Sequence, residues 1–155
     1  MRLILLLLTL CSSALADDGG TYIKGGLGLN GSLGASQSLF LGFQGPITSI
    51  FIWQMETGAY YVDNQMPSII GLLGGSAGIS VGRKVYGKLL VGPSVITATD
   101  SRLPSNFQFN DDFEIGIRDG KDYSLGLNYK HISNAGLTGG NGGRNFLMLK
   151  LQVPF

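Results

Sequence analysis

The chain has 155 residues, 11 Lys and Arg against 10 Asp and Glu, and a charged fraction of only 14%, where a typical domain carries about 25%. No basic run or cluster exists to meet a nucleic-acid backbone. A single histidine and a single cysteine offer no metal-ligand spacing, so neither a metal nor any other cofactor is expected.

Residues 1–16 read as a cleaved signal peptide. Arg2 gives the positive start, Leu3 to Leu10 the apolar run, and Ala14-Leu15-Ala16 a small-residue cleavage site before Asp17. The run is shorter than the about 20 residues of a spanning helix, and Leu10 before Cys11 argues against a lipoprotein signal. Cleavage removes Arg2 and Cys11, leaving an exported domain, 17–155, of zero formal net charge and no disulfide.

Turn residues divide this domain into eight strand-like segments. In chain order they are Thr21 to Asn30, Ser36 to Gly45, Thr48 to Val62, Ile69 to Gly82, Tyr86 to Thr97, Asn106 to Arg118, Asp122 to Asn134 and Asn145 to Phe155. Most exceed the about 5–6 residues of a soluble strand and suit the about 9–11 that a tilted strand needs to cross a bilayer. The connections alternate: Gly45-Pro46-Ile47, Arg83-Lys84-Val85 and Asp119-Gly120-Lys121 are tight, whereas Asp63 to Ser68, Ala98 to Ser105 and Ala135 to Arg144 are longer. Short periplasmic turns facing longer external loops predict an all-β fold, an eight-stranded antiparallel transmembrane β-barrel with both termini periplasmic. At that size side chains fill the interior and leave no pore.

The faces agree. In the last segment Leu147, Leu149, Leu151, Val153 and Phe155 share one side, with Lys150 and Gln152 on the other; a terminal aromatic there resembles the signal for barrel insertion. In the sixth, Phe107, Phe109, Phe113, Ile115 and Ile117 oppose Gln108, Asn110, Asp112, Glu114 and Arg118. Apolar residues outside and polar ones inside invert a soluble domain. Lys88, Lys130, Lys150, Glu56 and Glu114 are expected to form a charged network inside the barrel, and Trp53, Tyr60 and Tyr61 to join the interfacial aromatic belts. An exported β-sandwich is the rival architecture, since its strands would alternate too.

The seventh segment carries the chemistry. His131, the only histidine, stands two residues before Ser133, so the period of two points a base and a hydroxyl to the same side. That side also holds Tyr123, Leu125, Leu127 and Tyr129 and should face lipid. Asn145 shares the outward parity of Leu147, and the hairpin brings it beside His131 or Ser133. Two readings fit: a hydrolytic pair on the outer wall, or an interfacial rim in which His131 belongs to the aromatic girdle and Ser133 wets the loop.

The segment His131-Ile132-Ser133-Asn134-Ala135-Gly136-Leu137, then Asn141-Gly142, then the terminal strand ending Val153-Pro154-Phe155, resembles the lipid A 3-O-deacylase (PagL) family. The likeness runs from the Phe107 to Gly116 strand to the end; upstream only the strand plan and the signal peptide agree. It implies an outer-membrane barrel with an external serine esterase site acting on lipid A within lipopolysaccharide, among outer-membrane lipids. By position it implies Ser133 as nucleophile, His131 as general base, and backbone N–H groups near Asn134 and Gly136 as the oxyanion hole. The chain departs from the family at the third triad position, where Asn145 stands in place of a glutamate. Asp111, interrupting the outward face of the sixth segment, is the candidate auxiliary acid, expected to pair near Tyr129, close to His131, across the turn at Gly120. Arg102 or Arg144 could touch lipid A phosphates. The alternative function is a catalytically silent structural barrel with a degenerate site; a lipid-binding sandwich is the third.

Overall fold

The structure is a computed structural model that describes residues 19–29, 37–62, 68–100, 102–119, 123–137 and 142–154. The expected leader, Asn141 and Phe155 lie outside the described residues.

Eight strands follow in order: β1 (Gly20–Gly28), β2 (Gln37–Pro46), β3 (Phe51–Val62), β4 (Ser68–Val81), β5 (Val85–Ile96), β6 (Phe107–Asp119), β7 (Tyr123–Ser133) and β8 (Arg144–Val153). Each pairs antiparallel with the next, and β1 pairs with β8, so the sheet closes on itself and leaves no edge. The described residues contain no helix. The predicted segments match strand for strand. The largest boundary shift is at β3, which starts at Phe51 because the preceding residues fold into the turn: Ile47 N–H donates to the Phe51 carbonyl at 2.7 Å, and Phe51 N–H to Thr48 Oγ1 at 3.1 Å.

Gly20 pairs with Gln44 and Thr21 with Val153, so both ends of the described barrel share one rim with the tight turns. That rim is the turn end; the longer connections form the loop end.

The outer wall is apolar along every strand, while much of the interior is polar. Along β8, Leu149 is 62% exposed while its neighbour Lys150 is 0% exposed. An outer wall of Leu, Val, Ile and Phe this continuous is far larger than the apolar patches of water-soluble monomers. It fits hydrocarbon, and it excludes the sandwich.

Two layers fill the interior. Toward the turn end, Lys24 and Lys130 alternate with Glu56 and Asp112 in a closed ring of four charges: Lys24 lies 3.0 Å from both carboxylates, and Lys130 bonds Glu56 and, at 2.9 Å, Asp112. Beside it, Glu114 meets Lys150 at 3.1 Å and Lys88 at 3.8 Å and accepts from Tyr86 Oη at 2.7 Å. The lysine ends also face aromatic rings, Lys150 over Tyr22 and Lys88 over Tyr86. The predicted network is present, enlarged by Lys24 and Asp112. Toward the loop end the filling turns apolar, with Phe40, Ile70, Leu72, Ile132, Phe146 and Met148 around Leu103, a fully buried loop residue. Tyr60 belongs here as well. It is not in an outer belt as expected, because alternation sends it inward while Tyr61 faces out; it packs on Phe146 with ring centroids 5.3 Å apart.

Candidate active site

The site lies on the outer wall at the loop end of β6, β7 and β8. Alternation along β7 buries Ile132 completely in the apolar layer, which turns His131 and Ser133 outward. His131 pairs across β8 with Asn145 and across β6 with Asp111, and Ser133 pairs with Phe109. Three adjacent strands therefore present Asp111, His131 and Asn145 in one row. Asp111 is exposed and faces outward. It stands directly opposite His131, two residues along β7 from Tyr129, near which it was expected.

The imidazole is held on two sides. His131 Nδ1 lies 2.6 Å from Asn145 Oδ1. An amide oxygen can only accept, so Nδ1 carries the proton and Nε2 is the basic nitrogen. Tyr129 Oη donates to the same Oδ1 at 2.7 Å. On the other side the chain returning from the β7–β8 loop crosses the ring edge. A β-carbon built on Gly143 would stand 2.6 Å from His131 Cε1, and Gly143 itself has a φ of 58°. Glycine is required there twice, by backbone conformation and by close approach.

Ser133 is only 7% exposed, and the strand ends immediately after it in a tight turn. Ala135 and Gly136 both have positive φ, 52° and 76°, and Leu137 N–H donates back to the Asn134 carbonyl at 3.0 Å. Two consecutive left-handed residues closed in this way have the form of a type I′ turn. Alanine is an uncommon occupant of the first position, so mild backbone strain sits two residues from the hydroxyl. Gly136 N–H, one of the expected oxyanion donors, donates to Asn134 Oδ1 at 2.9 Å.

The β5–β6 connection braces this corner. Arg144, next to Asn145 in sequence, forms an ion pair with Asp100 at 2.7 Å, and Gly142 N–H donates to the Arg102 carbonyl at 3.1 Å. Arg144 is thus committed to Asp100 and to the Tyr60 ring, at 5% exposure, which removes it as an external phosphate contact. Among the described residues no group of His, Cys, Asp and Glu could hold a metal ion.

Sequence reasoning placed His131, Ser133 and Asn145 on one face. It missed Tyr129 as Asn145's partner and Gly143 as the floor of the imidazole. The parity of Tyr129 with His131, and the Gly142-Gly143 pair before β8, were the available signals.

Comparison with known proteins agrees with this architecture. The family described as Lipid A 3-O-deacylase (PagL) matches residues 17–154. A protein named Lipid A deacylase PagL, from Bordetella bronchiseptica, is 32% identical over 77 residues, 48% of this chain and 43% of that protein. The alignment thus spans less than half of that relative. The crystal structure of the outer membrane enzyme PagL superposes with a TM-score of 0.69 at 19% identity, over 86% of this chain and 99% of that one, which shows a shared fold. With residues 17–154 of its 155 matched, the chain belongs to the lipid A 3-O-deacylase (PagL) family.

Proposed function

We propose that the protein is an outer-membrane serine esterase that removes the 3-O-linked acyl chain of lipid A, reached from within the outer leaflet. The observation that carries this reading is the 2.6 Å contact between His131 Nδ1 and Asn145 Oδ1, on the apolar outer wall and on the same strand face as Ser133. Polar groups aimed at hydrocarbon are expensive and call for a function. In this reading the tight turns and both termini are periplasmic, and residues 1–16 are a cleaved export signal; the family match begins at residue 17.

Ser133 Oγ bonds to the ester carbonyl carbon as His131 Nε2 takes its proton. The tetrahedral intermediate collapses, and the departing sugar 3-oxygen receives that proton from His131. Water, deprotonated by the same nitrogen, then cleaves the acyl-enzyme and releases the fatty acid. Asn134 and Gly136 N–H groups stabilise the oxyanion. A full negative charge is a stronger acceptor than an amide oxygen, so the intermediate takes the Gly136 N–H from Asn134 Oδ1. Asp111, opposite His131 on β6, supplies the negative charge that Asn145 lacks; directly paired residues have Cβ atoms about 4.5–5.5 Å apart.

Mass spectrometry of lipid A from cells expressing the protein tests the reading. The expected result is loss of one ester-linked chain, with Ser133→Ala reducing the rate by about 10⁴-fold or more. An unchanged spectrum from a barrel correctly inserted in the membrane would refute it. That outcome would favour the second reading, a structural barrel with a degenerate site, for which the amide at Asn145 is the supporting observation. Gly143→Ala is expected to displace the imidazole and lower the rate by about 10²-fold, with heat-modifiable gel mobility unchanged.

A further inference from the structure

We propose that Tyr129 is a positioning residue that holds the Asn145 amide with its oxygen toward His131, keeping the imidazole in the tautomer able to accept the Ser133 proton; the catalytic consequence rests on the esterase reading above.

An amide in the third triad position has an ambiguity that a carboxylate lacks. With the oxygen toward the ring, Nδ1 carries the proton and Nε2 is a base. With the NH₂ toward the ring, Nδ1 must accept, the proton moves to Nε2, and the base is lost. The wrong tautomer is the reason that Asp-to-Asn substitution in a serine protease triad is so damaging. A chain with asparagine at this position needs something to select the orientation.

Tyr129 is placed to do so. It precedes His131 by two residues on the same face of β7, and its hydroxyl reaches diagonally to β8, donating to Asn145 Oδ1 at 2.7 Å. His131 Nδ1 reaches the same atom at 2.6 Å. Both donors converge on one oxygen. If the amide turned over, its NH₂ would donate to the phenol oxygen, and the phenol proton would need another acceptor. The residues directly opposite Tyr129 are Phe113 on β6 and Leu147 on β8, and neither accepts. Asp111 lies on the β6 side of His131, away from the direction in which the phenol reaches. Stranding a hydroxyl proton on an apolar wall biases the amide toward the productive orientation by roughly 10–100-fold.

Because His131 is the only histidine, selective ¹⁵N-histidine labelling reports this one ring. The protein is prepared in detergent micelles with a histidine-free tag and observed at a pH where the ring is neutral. The wild type is expected to give the Nδ1–H tautomer, and Tyr129→Phe a spectrum shifted toward Nε2–H, with lipid A deacylation slowed by roughly 10–100-fold. In the Asn145→Asp background, where both oxygens are equivalent, Tyr129→Phe is expected to leave the tautomer unchanged and the rate within about threefold. An unchanged tautomer in the single Tyr129→Phe variant would overturn the proposal, as would an equal fall in rate in both backgrounds. The tautomer is read without substrate, so it decides the positioning role even if the wild-type barrel leaves the lipid A spectrum unchanged.

Discussion

Asn145→Asp is expected to raise the rate of lipid A deacylation by about 10–100-fold, measured as turnover in mixed micelles. Aspartate has the same reach as asparagine and so preserves the 2.6 Å contact with His131 Nδ1 while adding a full negative charge. That charge favours the imidazolium formed when Ser133 gives up its proton. The expected gain is smaller than the about 10⁴-fold lost on the reverse change in a serine protease, much of which comes from the wrong tautomer. On the proposals above the tautomer is already set through Tyr129, and Asp111, paired with His131 on the neighbouring strand, already supplies one negative charge. Asn145→Glu, which introduces the residue implied by the family resemblance, carries an extra methylene and must rebuild the contact, so aspartate is the cleaner comparison. No gain from either variant would mean that proton transfer at His131 does not limit the rate.

Lys130→Met is expected to destabilise the barrel by about 3–5 kcal/mol, read as a lower urea midpoint for the unfolding of protein reconstituted in lipid vesicles. Lys130 and Lys24 each bridge Glu56 and Asp112. All four side chains are essentially excluded from solvent, and the ring is neutral only while it is complete. Removing one lysine leaves two buried carboxylates sharing a single cation. The double variant Lys130→Met with Glu56→Gln restores the balance and is expected to be more stable than the single variant, because the penalty lies in the unpaired charge more than in the lost bond. A double variant less stable than Lys130→Met would show instead that the ion pair itself carries the stability.

The barrel was legible because membrane strands state their geometry plainly. Alternation along β6 and β8 gave their faces, and the rhythm of tight and long connections gave the topology. The same parity put His131, Ser133 and Asn145 on one face, since a residue's face depends only on its position along the strand. Register was less accessible. Asp111 was expected to pair near Tyr129 and close to His131 across the turn at Gly120; with Asp119 paired to Tyr123, it falls directly opposite His131. One residue in the turn moves the partner by two.

Other features had no local signal. Tyr60 and Tyr61 are both plausible girdle residues, and only the wall's phase separates them. Lys24 meets Asp112 from 88 positions away, a pairing that closure of the barrel creates. Leu103 lies in a connection without periodicity, yet it is fully buried beneath the loop end. Tyr129 carried the right parity throughout, but its hydrogen bond to Asn145 depends on side-chain direction, which strand patterning does not encode.

Covalent trapping of the nucleophile tests the central claim most directly. Incubation of the folded barrel with a fluorophosphonate, followed by peptide mass spectrometry, should place the adduct on Ser133, and His131→Ala should suppress it by about 10³-fold or more. An adduct on another residue of an enzyme that deacylates lipid A, or labelling of Ser133 indifferent to the loss of His131, would contradict the account.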